Sequence, residues 1–177
     1  MTWRGPATLG LLVALGAGGG IVASMAMAPE IAGGGTASLV AAQSPSLPVE
    51  LSVPRVWVRN DLAEDEWTWR PEDQPKYAYV LRVEQVRGDR DPISRELANR
   101  EVALKEDEVD LEVVGQTTDS LHFTYTADDH LRHGLLRWVS VPGTSTAQVE
   151  VAISGRDVDV PGMQDLIARV AAGVRME

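Results

Sequence analysis

The chain has 177 residues, a formal net charge of -10, 24% charged residues and 5% aromatics, a length that suits one domain. All 26 acids lie from Glu30 onward, and only Arg4 among the 16 bases precedes them, so the chain lacks the basic footprint of a phosphate-backbone binder or of a protein held on anionic lipid by charge. It has no cysteine, which excludes disulfides, thiolate zinc sites, a lipid-modified cysteine and a cysteine nucleophile.

Residues 5–29 carry no charge. A helix needs roughly 20 apolar residues to span a bilayer core, and the stretch from Ala7 to Ala28 is long enough. Arg4 before it and Glu30 after it orient the short amino terminus, residues 1–6, toward the cytoplasm. Two readings compete. One is a cleaved signal peptide, with Ala26-Met27-Ala28 as the small-x-small site. The other is a retained signal anchor over 7–28, favoured because Pro29 would follow the cut. Residues 29–48 are rich in Gly, Ala, Ser and Pro and carry one charge, which reads as a flexible linker. An extracytoplasmic domain is expected over 49–177.

Within that domain the spacing predicts Val56 to Arg59 as a strand, paired across an acidic loop, Asn60 to Glu66, with a short strand whose Trp67 and Trp69 share a face. Tyr77 to Val86 follows, with Tyr79, Leu81 and Val83 on one side. Asp91 then caps a helix with Pro92 at its first position; Ile93, Leu97 and Leu104 share its apolar face, and Val102 points away. Leu111 to Val114 is a weaker strand. Leu121, Phe123 and Tyr125 alternate with His122, Thr124 and Thr126. Leu135 to Val141 is apolar and β-rich, and Ala147, Val149, Val151 and Ile153 alternate with Gln148, Glu150 and Ala152. Met163, Leu166, Ile167, Val170, Ala171 and Val174 keep the three-four spacing of a buried helical stripe, with Asp165 near its start and Arg169 and Arg175 near its end. The order is three strands, a helix, four strands, a helix. It predicts an α+β fold: an antiparallel sheet of six or seven strands packed with two amphipathic helices, preceded by one transmembrane helix.

Few residues point to chemistry. Asp128, Asp129, His130 and His133 fall within six residues and are of metal-ligating type. They are placed in a hairpin loop, where Asp and Gly134 also serve turn geometry, and the polar turn is the favoured reading. His122 reads as a surface or edge histidine. The acidic run Glu106, Asp107, Glu108, Asp110 and Glu112 lacks the order of a calcium loop and reads as a solvated helix end. Trp67 and Trp69 form either an exposed binding edge or, more often for such pairs, part of the core. No nucleophile elbow, Walker loop or dinucleotide fingerprint is present. No catalytic, cofactor-binding or metal residue is assigned.

The segments LSVPRVWVRND, EWTWRPED, YAYVLRVEQV and DPISRELANREVALKEDEV, with the block from Leu111 to Gly155, form one pattern. Its marks are Val53, Pro54 and Trp57, an aromatic strand ending at Tyr125, a tight turn near Gly134, a strand with Trp138, a small-residue strand and a terminal amphipathic helix. Over residues 49–176 it resembles the carboxy-terminal domain of the actinobacterial type VII secretion-associated protein family. The resemblance implies a PsbP-like or LpqN-like α/β/α sandwich in the cell envelope, acting with a type VII (ESX-type) secretion system. Longer members carry an ATPase-like region ahead of the membrane segment, and the few residues before Ala7 imply no nucleotide-driven role here. The expected function is therefore that of a non-enzymatic membrane-anchored envelope protein. It would have no cofactor, be held in the membrane by one helix, and bind a protein or other ligand through its exported domain. The alternative is a secreted or anchored small-molecule or lipid-binding module unrelated to secretion.

Overall fold

The computed structural model describes residues 39–43, 49–54, 57–63, 66–71, 79–86, 91–140 and 142–176. The expected cytoplasmic segment, the anchor over 7–28 and most of the linker lie outside these residues. Among the described residues no helix is long and apolar enough to cross a membrane.

Seven antiparallel strands form the main sheet: β3 (Trp57–Ala63), β4 (Glu66–Pro71), β5 (Val80–Gln85), β6 (Val109–Gln116), β7 (Ser120–Ala127), β8 (His130–Ser140) and β9 (Ala147–Gly155). They lie side by side as β3-β4-β5-β9-β8-β7-β6. Helix α1 (Ile93–Asp107) follows β5, and α2 (Val160–Ala172) follows β9. The order of three strands, helix, four strands, helix is the one predicted. The period-2 alternation explains the layering, because successive side chains leave opposite faces. On one face Trp67, Trp69, Leu81, Val83, Val149, Val151 and Ile153 pack with Met163, Leu166 and Val170 of α2. On the other, Leu121, Phe123, Tyr125, Leu136, Trp138 and Ala152 pack with Leu97 and Leu104 of α1. The result is a three-layer α/β/α sandwich.

Several local expectations change. Leu39–Gln43, within the stretch read as linker, is a strand (β1). It pairs antiparallel with β2 (Val49–Pro54), which also takes β10 (Arg175–Met176) on its other side. Arg175 thus belongs to this small sheet rather than to the end of α2. Val53 joins the α2-side core, so the small sheet flanks that helix. The acidic loop at Asn60 is shorter than expected, since pairing runs to Ala63 and Glu66 through a bulge after Asp61. Helix α1 starts one residue late: Pro92, extended at ψ 146, is its cap, and Asp91 instead pairs with Arg95 at 2.9 Å. Asp110 and Glu112 belong to β6 rather than to a helix end. Trp67 and Trp69 are 2% and 3% exposed, so they are core and not a binding edge.

Charge is also buried. Glu66 stands opposite Glu84, and Glu84 opposite Glu150. Three carboxylates therefore form one cross-strand row on the α1 side, an arrangement that costs stability unless compensated. Compensation comes from Arg82, which lies 2.8 Å from Glu150, 3.3 Å from Glu84 and 3.6 Å from Glu66. Arg100 of α1 adds a second guanidinium on Glu150. Burial pushes the Glu150 carboxyl up, but Arg100 and Arg82 outweigh it and hold it below the ordinary range. Burial raises Glu84, Arg82 pulls it back, and the neighbouring Glu150 and Glu66 add to the rise.

Candidate functional site: a cleft beside helix α2

The β7–β8 hairpin sets the site's geometry. Asp128 and Asp129 have φ of 52° and 61°, both left-handed, which fits a two-residue type I′ turn. Pairing then runs from Ala127↔His130 through Thr124↔His133 and His122↔Leu135. His130 and His133 are thus in a strand, not a loop. Three apart, they leave opposite faces of the sheet, so they do not converge on a metal ion. Among the described residues no group of three His, Asp or Glu is placed to hold one. Gly134 makes no turn either. It is mid-strand, facing the Phe123 ring, whose Cζ lies 2.2 Å from where a Cβ would sit.

The same register brings His122 and His133 together diagonally on the α2 side. His122 Nε2 is 3.0 Å from His133 Nδ1, with ring centroids 5.3 Å apart. His133 is buried. Beyond it, Asp157, from the 3₁₀ turn Asp157–Asp159 that precedes α2, places Oδ1 3.1 Å from His133 Nε2. The approach is off the N–H axis, so Nε2 has no hydrogen bond. Asp157, His133 and His122 thus stand in a row, from an exposed carboxylate through a buried imidazole to one at the cleft wall. Burial, and then the neighbouring His133, lower the pKa of His122. His122 lies on an internal strand and not an edge strand, which corrects that part of its reading, and it is half-buried, open to the cleft.

His122 lines a cleft of about 430 Å³ between α2 and the β6–β8 end of the sheet. Leu135, Ile167 and Ala168 give it an apolar floor, and Gln116, Arg137 and Gln164 stand at its polar margins. Arg137 is committed to Asp119, with Nε and Nη2 each 3.2 Å from Oδ2. The rim hydroxyls of Thr117 and Ser120 lie 2.6 Å apart, bonded to each other. The sequence reading missed this cleft. The signal was available in the hairpin: counting back from an Asp-Asp turn places residue 133 diagonal to residue 122.

No protein-family model matches the chain, and no curated protein matches its sequence. Solved structures do share its fold. Cyanobacterial PsbP (CyanoP) from Synechocystis matches at TM-score 0.52 and 14% identity, over 82% of this chain and 96% of that one. The Ran-binding protein Mog1p of Saccharomyces cerevisiae matches at 0.56 and 8%, over 80% and 96%. LpqN, involved in cell envelope biogenesis of Mycobacterium tuberculosis, matches at 0.47 and 11%, over 81% and 87%. The chain has the PsbP-like fold.

Proposed function

We propose that this chain is a non-enzymatic, membrane-anchored binding protein of the cell envelope, accessory to type VII secretion. Its exported domain holds a protein partner in the cleft between α2 and the β6–β8 end of the sheet. The cleft carries this reading: an apolar floor with a few convergent polar groups is the common make-up of a binding site. The frame is also one on which protein binding occurs, since Mog1p, of the same fold, is a Ran-binding protein. The sequence pattern over 49–176 supplies the link to secretion. The apolar stretch 7–28 supplies the anchor, and orients the domain outside the cytoplasm with its search confined to the membrane surface. A second reading rests on the same floor of Leu135, Ile167 and Ala168: a small apolar ligand, held independently of secretion.

A test separates them. Gln164 is exposed at the cleft, so Gln164→Trp fills it without disturbing the core. In cells whose own copy is deleted, the wild-type chain should restore export of type VII substrates. The Gln164→Trp chain should restore it about tenfold less well, the effect of losing one central contact. Full export with the deletion left uncomplemented would remove the secretion role. Full rescue by the tryptophan variant would remove the cleft from it.

A further inference from the structure

The histidine pair gives one wall of the cleft a defined hydrogen-bonding character. A carboxylate oxygen 3.1 Å from His133 Nε2 repels a lone pair there and favours a proton on that nitrogen. Neutral His133 then carries its lone pair on Nδ1. The 3.0 Å contact between that nitrogen and His122 Nε2 needs one proton, which His122 must supply. Neutral His122 is left with its lone pair on Nδ1, the ring nitrogen not taken by His133. Among the other polar groups at hand, Arg137 is engaged by Asp119, Thr117 donates to Asp119 and Ser120 to Thr117, while the Gln116 and Gln164 amides stand at the margins. Helix α2 contributes only Gln164, Ile167 and Ala168 to the lining, none of them charged.

We propose that His122 Nδ1 is the specificity-determining acceptor of the cleft, and that the partner inserts a side chain with an N–H or O–H donor on an apolar stem. The stem lies on Leu135, Ile167 and Ala168, and the donor reaches Nδ1. This rests on the reading of the cleft as a binding site and names what it selects. The surrounding charge agrees. Asp157 from the 3₁₀ turn and Glu112 from β6, opposite Thr124, are carboxylates, and Arg137, the cation in the cleft lining among the described residues, is neutralised by Asp119. Protonating His122 reverses the preference, because both ring nitrogens then donate.

Full-length protein, with pentylamine and pentanol as donor probes and pentanoate as a probe without a donor, tests this by nuclear magnetic resonance. At about pH 8, above the ordinary histidine range, the imidazole nitrogen signals should show His122 protonated on Nε2 and bare on Nδ1. The donor probes should bind about tenfold more tightly than pentanoate, the worth of one hydrogen bond. His122→Asn, which keeps an acceptor, should retain the preference, and His122→Phe should erase it. Lowering the pH until Nδ1 is protonated should erase it in the wild-type chain, an arm that needs no variant to fold. A proton on Nδ1 at about pH 8, or a preference that survives His122→Phe, would overturn the proposal. If all three probes bind alike, the acceptor role falls and the cleft remains a site. If none shifts the signals of cleft residues, both fall together.

Discussion

At Gly134 a methyl group would sit 2.2 Å from Phe123 Cζ, inside the ring's van der Waals envelope. Phe123 is 1% exposed and has nowhere to move. Gly134→Ala should therefore cost about 1–3 kcal/mol in denaturant unfolding, and adding Phe123→Leu should recover part of that loss. Glu150 and Glu84 make a second contrast. The fold lowers the Glu150 carboxyl, so its contribution is present above the unfolded-state value of about 4.3 and fades as the pH falls through the folded value. The fold raises Glu84, so its contribution runs the other way, full below the unfolded value and lost as the pH rises through the folded one. At about pH 7, Glu150→Gln should cost about 3–5 kcal/mol, because it takes the carboxylate from Arg100 beneath α1 and leaves Arg82 only the more distant Glu84 and Glu66. Glu84→Gln should change stability by less than about 0.5 kcal/mol or raise it. Equal losses in the two variants would contradict this account of the row. None of it was readable from the sequence. Glu150 occupies the polar phase of an alternating strand, a phase that ordinarily faces water, and only the arrival of α1 on that face buries it.

The β7–β8 hairpin shows the same division at the scale of an element. Alternation from Leu121 to Tyr125 predicts the strand and its face, and the structure keeps both. It does not fix where the chain reverses. Two aspartates at φ of 52° and 61° make the turn, while Gly134, read as turn glycine, is needed for close approach to an aromatic ring. The left-handed geometry leads to a direct expectation: Asp129→Gly should raise the unfolding free energy by about 0.5–1 kcal/mol, since glycine adopts that geometry without strain. Helices were legible where their stripe was complete. The α2 positions from Met163 to Ala171 are all buried as spaced. For α1, Leu97 and Leu104 are buried and Val102 is 59% exposed, as its imperfect stripe implied. Strand β1 was not legible, because Leu39–Gln43 sits among Gly, Ala and Ser and gains its conformation from pairing with β2. Such pairing is a tertiary matter that local propensity does not report.

For the whole molecule, the order of elements was enough to predict an antiparallel sheet packed with two helices, because each amphipathic element must bury one face against another; the three-layer α/β/α arrangement was implied only by the family resemblance. It was not enough to find the cleft, which exists only where α2 stops covering the sheet short of β6. The proposed function places that cleft on a domain held at the outer face of the membrane, with a partner in the secretion apparatus. Site-specific photo-crosslinking in intact cells tests this most directly. A photoreactive residue replaces Gln164 at the cleft, or Lys105, exposed on α1 in the opposite layer, as control. The account predicts one discrete adduct from position 164, found in the membrane fraction, containing a component of the type VII secretion system and absent from position 105. No adduct at 164, or the same adducts from both positions, would contradict it.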